Sequence, residues 1–240
     1  MNLMLNKFFL SIRKDWIESV PSALSIALLV FFLPTPANSH PVVFQGGTAI
    51  MGHHLGEMSE IEVVHSPTWW SGFGLSAERA SQSTQVLAKA TALLWRGNFP
   101  DLQSNFYLGT GIGHIWGDPM HADSSTQKND SRRAVYVIST EFDAEDRQYY
   151  GRFRYNLRSE DGNLSSNQLL TRIGLAPYKA NTDEPALWGL VEWTASNHSQ
   201  THHYVHEVTP LIRFFYRNAL FEIGSSFSGK VMFNYMFHYF

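Results

Sequence analysis

The chain has 240 residues and a formal charge of −3, so neither its size nor its charge points to nucleic acid as a partner. It holds no cysteine, which excludes disulfides, thiolate metal sites and cysteine-based catalysis. Charged residues make up only 16%, against a usual share of about a quarter, while 17 Phe, 10 Tyr and 7 Trp make the chain rich in aromatics. That balance suits a barrel that is apolar outside and polar inside.

Residues 1–39 read as an export signal. Lys7, Arg13 and Lys14 supply a long positive segment, weakened by Asp15 and Glu18, and Ala23 to Leu33 is an unbroken apolar run. Pro34 and Pro36 end it, and Ala37-Asn38-Ser39 forms a small-x-small cleavage site before His40. The run is about half the roughly 20 residues a spanning helix needs. The expected mature domain is therefore 40–240, and it reaches a membrane through strands.

From His40 onward the dominant period is two, which places alternate residues on opposite faces of a strand. Expected strands lie at 42–51, 59–65, 70–80, 85–96, 103–116, 132–143, 146–158, 166–178, 186–196, 202–217, 219–226 and 230–240. The segment 85–96 has helix-forming composition and is the weakest member, so about twelve strands are expected, with ten as the alternative. In 103–116, Phe106, Leu108, Thr110 and Ile112 oppose Asn105, Gly109, Gly111 and Gly113, a glycine row that implies crowding across a narrow lumen. In 146–158, Tyr149, Phe153, Tyr155 and Leu157 oppose Tyr150, Arg152, Arg154, Asn156 and Arg158. The stretches 117–131, 159–166 and 196–202 are polar and read as longer external loops, whereas 65–68, 143–146 and 217–219 read as tight turns. Pro177 and Pro210 fall inside expected strands and must mark bulges or strand ends.

The last segment, KVMFNYMFHYF, puts Phe233, Tyr235, Phe237 and Tyr239 on one face. Such a ladder on a soluble edge strand is an aggregation hazard. It reads instead as a closing membrane strand, with Phe240 a belt residue at the periplasmic rim.

The mature chain resembles a small family of uncharacterised proteobacterial outer-membrane β-barrel proteins. The likeness is carried by Phe44-Gln45-Gly46-Gly47, Glu60-Ile61-Glu62 with Ser66-Pro67-Thr68, Asn105-Phe106-Tyr107-Leu108, and the run from Thr209 to Phe240. The resemblance implies an up-and-down transmembrane barrel in the bacterial outer membrane, hence in contact with its lipid, and the aromatic strand ending at Phe240 resembles the signal that the barrel-assembly machinery recognises. It also implies an association with metal-handling systems, and it supplies no catalytic residue.

Three constellations are candidates for chemistry. Parity puts Glu62, Glu78, Glu141, Glu192, Glu207, Glu222, Lys89, Arg152, Arg154, Arg172 and Arg213 inside, either as a selectivity filter or as a salt-bridge network filling a narrow lumen. The same parity turns Tyr149, Phe153, Tyr155, Phe233, Tyr235, Phe237 and Tyr239 toward lipid. The histidines His53, His54, His121, His198, His202 and His203 fall in or beside expected external loops, with His202 and His206 on one strand face. Imidazoles with Met51, Met58 and Met120 nearby suit Zn, Cu or Ni. Ser225 and Ser226 meet no spacing that selects a hydrolytic triad, and Gly109-x-Gly111-x-Gly113 lies in a strand, so it is not a nucleotide loop. The expectation is a monomeric, cofactor-free, non-enzymatic barrel that is structural or a narrow channel for small solutes or ions. A metal-binding surface barrel is the alternative, and a barrel lipid hydrolase a more remote one.

Overall fold

The computed structural model describes residues 44–80, 83–117, 132–181, 184–198 and 203–240. The expected signal segment at 1–39 lies outside them, as do Met120, His121 and His202. Among the described residues the chain forms twelve strands: β1 (Thr48–Leu55), β2 (Met58–Thr68), β3 (Ser71–Ala80), β4 (Ser83–Asn98), β5 (Gln103–Gly117), β6 (Arg133–Glu145), β7 (Tyr149–Glu160), β8 (Asn163–Leu175), β9 (Ala186–His198), β10 (Tyr204–Tyr216), β11 (Ala219–Ser225) and β12 (Val231–Tyr239). Each pairs antiparallel with its sequence neighbours, and β12 pairs with β1, so the sheet closes into a barrel. Closure gives every strand a partner on each side and removes the exposed edge that an open sheet would carry.

The strands tilt strongly. Hydrogen-bond partners followed round the sheet climb from Thr48 at the lower end of β1 through His65, Phe73, Ala90, Thr110, Ile138, Leu157, Asn167 and Asn197 to Tyr204 at the upper end of β10. Twelve strands about 4.8 Å apart and tilted about 40° enclose a backbone cylinder of roughly 12 Å radius. Once side chains point inward, the remaining lumen is narrow.

The alternation in the sequence becomes two faces. Leu75, Ile112, Ile138, Ile173, Ile212 and Ile223 stand outward and are each more than half exposed. Their neighbours along the same strands point inward, among them Glu141, Arg172, Arg213 and Glu222, and are buried. The interior is not wholly polar. Leu190, Leu211 and Met232 pack together with Leu55, Tyr150 and Trp188, and Leu87, Ile115 and Val135 form a second apolar cluster with Val137.

Several expected elements are corrected. β1 begins at Thr48, not 42, and runs through His53 and His54, which were expected in or beside a loop. The weak segment 85–96 belongs to β4, which spans 16 residues. The polar stretch 159–166 is no long loop. β7 and β8 extend through it and are joined by Asp161 and Gly162 alone, at φ 47° and 83°. Both angles are left-handed, which two-residue hairpin turns require and Asp-Gly supplies at low cost. Pro177 falls after β8 has ended. Pro210 sits in β10 one residue above Leu211, where the registered pairing with β11 begins. Pro210 keeps its place opposite Val191 of β9, and the end of the β11 pairing beside it is where a missing N–H interrupts the ladder least.

The glycines of the row on β5 differ in what lies beside them. A Cβ on Gly113 would lie 1.9 Å from the Val86 carbonyl oxygen on the adjacent strand, and one on Gly109 would lie 2.3 Å from Ser139 Oγ. Close approach of the neighbouring backbone selects glycine at Gly113, whereas Gly109 faces a serine hydroxyl and Gly111 has ordinary room, with Lys89 Cγ at 3.5 Å.

Candidate functional site

Two continuous rows of inward polar side chains wind round the interior, each following one line of hydrogen-bond register. The lower row takes one residue from each of seven consecutive strands: Arg96, Asn105, Asp143, Arg152, Arg172, Glu192 and Thr209. The upper row starts on β10 below Thr209 and climbs to stand above Arg96 on β4; it takes Arg213, Glu222, Asn234, His53, Glu60, Glu78 and Gln85, again from seven consecutive strands. Register thus stacks residues far apart in sequence into neighbouring positions on one surface.

The rows are knitted together by charge. Arg172 Nε donates to Glu192 Oε2 at 2.9 Å, and its Nη1 donates to both oxygens of Glu222 at 2.9 Å. Arg213 Nε donates to Glu222 at 2.7 Å, Asn234 Nδ2 donates to Glu222 at 2.7 Å, and the His53 ring bonds Asn234 Oδ1. Tyr150 lies under the Arg213 guanidinium, 4.4 Å from its ring centre. In the lower row, Arg96 donates to Asn105, which donates to Asp143, while Arg152 and Arg154 both donate to Glu141. Lys89 reaches from β4 past β3 to Glu60 at 2.9 Å and Glu62 at 2.8 Å on β2. Higher up, Arg133 and Arg158 share Glu160. Charges removed from water need partners of this kind, because one left uncompensated costs several kcal/mol.

Glu62, Glu141, Arg152, Arg154, Arg172, Glu192, Arg213 and Glu222 therefore all enter ion pairs. Glu207 also pairs, with Lys230, but away from that network. It bonds Ser228 and Lys230 in the β11–β12 turn at the upper rim. Parity extended along the strands would have found Glu60 and Asp143, which share faces with Glu62 and Glu141. The roles of Asn105, Asn234 and His53 carried no such signal, because amides and imidazoles occur on either face.

The aromatic set divides by exposure. Tyr149, Phe153 and Phe233 are open to the outside at 62%, 45% and 39%. Tyr155, Tyr235 and Tyr239 are half-buried. Phe237 is buried instead, its ring edge-on to Phe221 at 5.5 Å and beside Tyr235 at 5.8 Å. It has the parity of the ladder, but its neighbours on that face are large enough to cover it. Phe240 meets Phe44 at 5.4 Å at the lower rim.

The histidines do not converge. His53 turns inward to Asn234, whereas His54 turns outward and stacks on Phe233. His206 stacks on Trp193 and Tyr204, and His203 is exposed at the start of β10. Among the described residues no group of three or more metal-ligating side chains is arranged to hold an ion. Ser225 and Ser226 bond within their own turn, Ser225 to the Ser226 carbonyl and Ser226 to Ser228.

No family model and no curated protein matches the chain. Among solved structures it is similar to the KdgM porin in complex with disordered oligogalacturonate, at 11% identity and a TM-score of 0.49, covering 81% of this chain and 98% of that one. A second KdgM porin structure gives 12% identity and the same TM-score and coverage. The translocator domain of the autotransporter NalP from Neisseria meningitidis gives 13% identity and a TM-score of 0.41, covering 96% of each chain. These similarities bring no residue role with them, and the functional reading rests on the residues themselves.

Proposed function

We propose that the chain is a bacterial outer-membrane β-barrel whose interior forms a narrow channel for small solutes. The observation that carries this reading is the pair of polar rows lining a closed barrel whose outer face is apolar. A continuous outward band of Leu, Ile, Val and Phe would be an association surface in water. In a bilayer it is the required surface, since only helices and closed barrels satisfy their backbone groups there. Aromatic residues flank the band in the manner of interfacial girdles. Trp69, Trp70, Tyr149 and Tyr178 lie at the lower end, and Tyr204 lies at the upper end.

The interior is filled unevenly. Long side chains cross-linked through Arg172 occupy the side formed by β8 to β11. The wall formed by β3 to β6 carries small inward residues, Gly74, Ser76, Thr91, Gly109, Gly111 and Ser139. Solute uptake into proteoliposomes tests the reading. Swelling in glycine or a pentose but not in a trisaccharide supports a narrow channel; no swelling in any solute identifies a structural barrel.

A further inference from the structure

The wall formed by β2, β3 and β4 carries more acceptors than donors. On one register line Glu60, Glu78 and Gln85 stand side by side, and on the next Glu62 faces Ser76. Two carboxylates directly opposite each other on neighbouring strands repel. Among the described residues Lys89 is the cation that bonds into the group, to Glu60 and Glu62, and Glu78 takes part in neither bond. Arg158 faces Glu78 from β7, but its Nε is given to Glu160. Beside the carboxylates, Gln85 and Ser76 are 5% and 3% exposed, and among the described residues Gln85 Oε1 and Ser76 Oγ are buried without a hydrogen-bond partner. A buried acceptor left unmet costs about 1–3 kcal/mol, so a wall with two of them beside an unpaired carboxylate is built to receive donors.

Resting on the reading of the interior as a solute path, we propose that this wall is a binding subsite for organic ammonium ions carrying several N–H donors, of the linear diamine class. The donor set is all oxygen and bears two more negative charges than Lys89 offsets. Among the described residues no group of three or more such ligands is arranged to hold a metal ion. A polyatomic cation meets spaced acceptors where a single ion does not, and its ammonium groups satisfy the same geometry that the Lys89 ammonium already satisfies.

Calorimetric titration of the folded, full-length barrel in detergent with putrescine tests this. Wild type binds. Glu78→Gln weakens binding about tenfold, the worth of one charge-assisted hydrogen bond, and Lys89→Met strengthens it about tenfold by removing the tethered competitor. Glu207→Gln, at the rim, leaves it unchanged. Absence of heat with wild type, or equal affinity in wild type and Glu78→Gln, overturns the subsite. If Lys89→Met does not fold, the Glu78→Gln comparison decides alone. Ion conductance separates the two readings: a barrel that conducts but does not bind putrescine loses only the subsite, and one that binds without conducting keeps the subsite and loses the channel.

Discussion

Arg172 on β8 donates through Nη1 to both carboxylate oxygens of Glu222 on β11, across the two intervening strands β9 and β10. On a convex surface no side chain spans that interval, so the bond runs through the lumen and ties the lower polar row to the upper one. Both residues are nearly fully buried. Arg172→Met leaves Glu222 and Glu192, both buried, short of a cation, and the expected loss is about 3–5 kcal/mol. Urea unfolding in lipid vesicles reads this directly. The double variant Arg172→Met with Glu222→Gln should lose less than the sum of the two single changes, because both remove the same interaction. Strict additivity would mean that the bond does not form.

Leu75 lies at the middle of β3 and is 62% exposed on the outer face. If that face meets lipid, Leu75→Arg costs about 2–4 kcal/mol, the expected value for arginine at the bilayer midplane. Phe227, 81% exposed in the β11–β12 turn, is the control, and Phe227→Arg should change stability little. Equal small effects at both positions would place the outer face in water.

Gly113 and Gly111 share the inward face of β5 but differ in room. An added Cβ at Gly113 meets the Val86 carbonyl at 1.9 Å, whereas at Gly111 its nearest neighbour is Lys89 Cγ at 3.5 Å. Gly113→Ala therefore forces two backbones apart and destabilises by about 1–3 kcal/mol, while Gly111→Ala is tolerated. Thermal loss of the compact form on unboiled gels distinguishes the two variants.

Much of the barrel is legible in the sequence because membrane-type strands alternate without interruption. Tyr149 to Arg158 announces β7 almost to the residue. β1 is less legible: Ala49, Gly52 and the adjacent His53 and His54 break the alternation, and the strand is recognised through its pairing with β2 and β12. Loop composition misleads at Ser159 to Ser166, where polar residues are held in a paired hairpin that needs only Asp161 and Gly162 to turn. Parity also reveals which charges face inward, but it does not tell how far round the barrel they reach. Arg172 and Glu222 are 50 residues apart in sequence and are brought together by the cumulative tilt of the sheet.

The central claim, an open polar path through a membrane barrel, is tested most directly by single-channel recording in planar bilayers. Protein first verified as folded by its heat-modifiable mobility should give small, stable conductance steps. The Lys89→Met variant, with an uncompensated acidic wall, should shift reversal potentials toward cation selectivity relative to wild type. Folded, inserted protein that remains electrically silent would contradict the account.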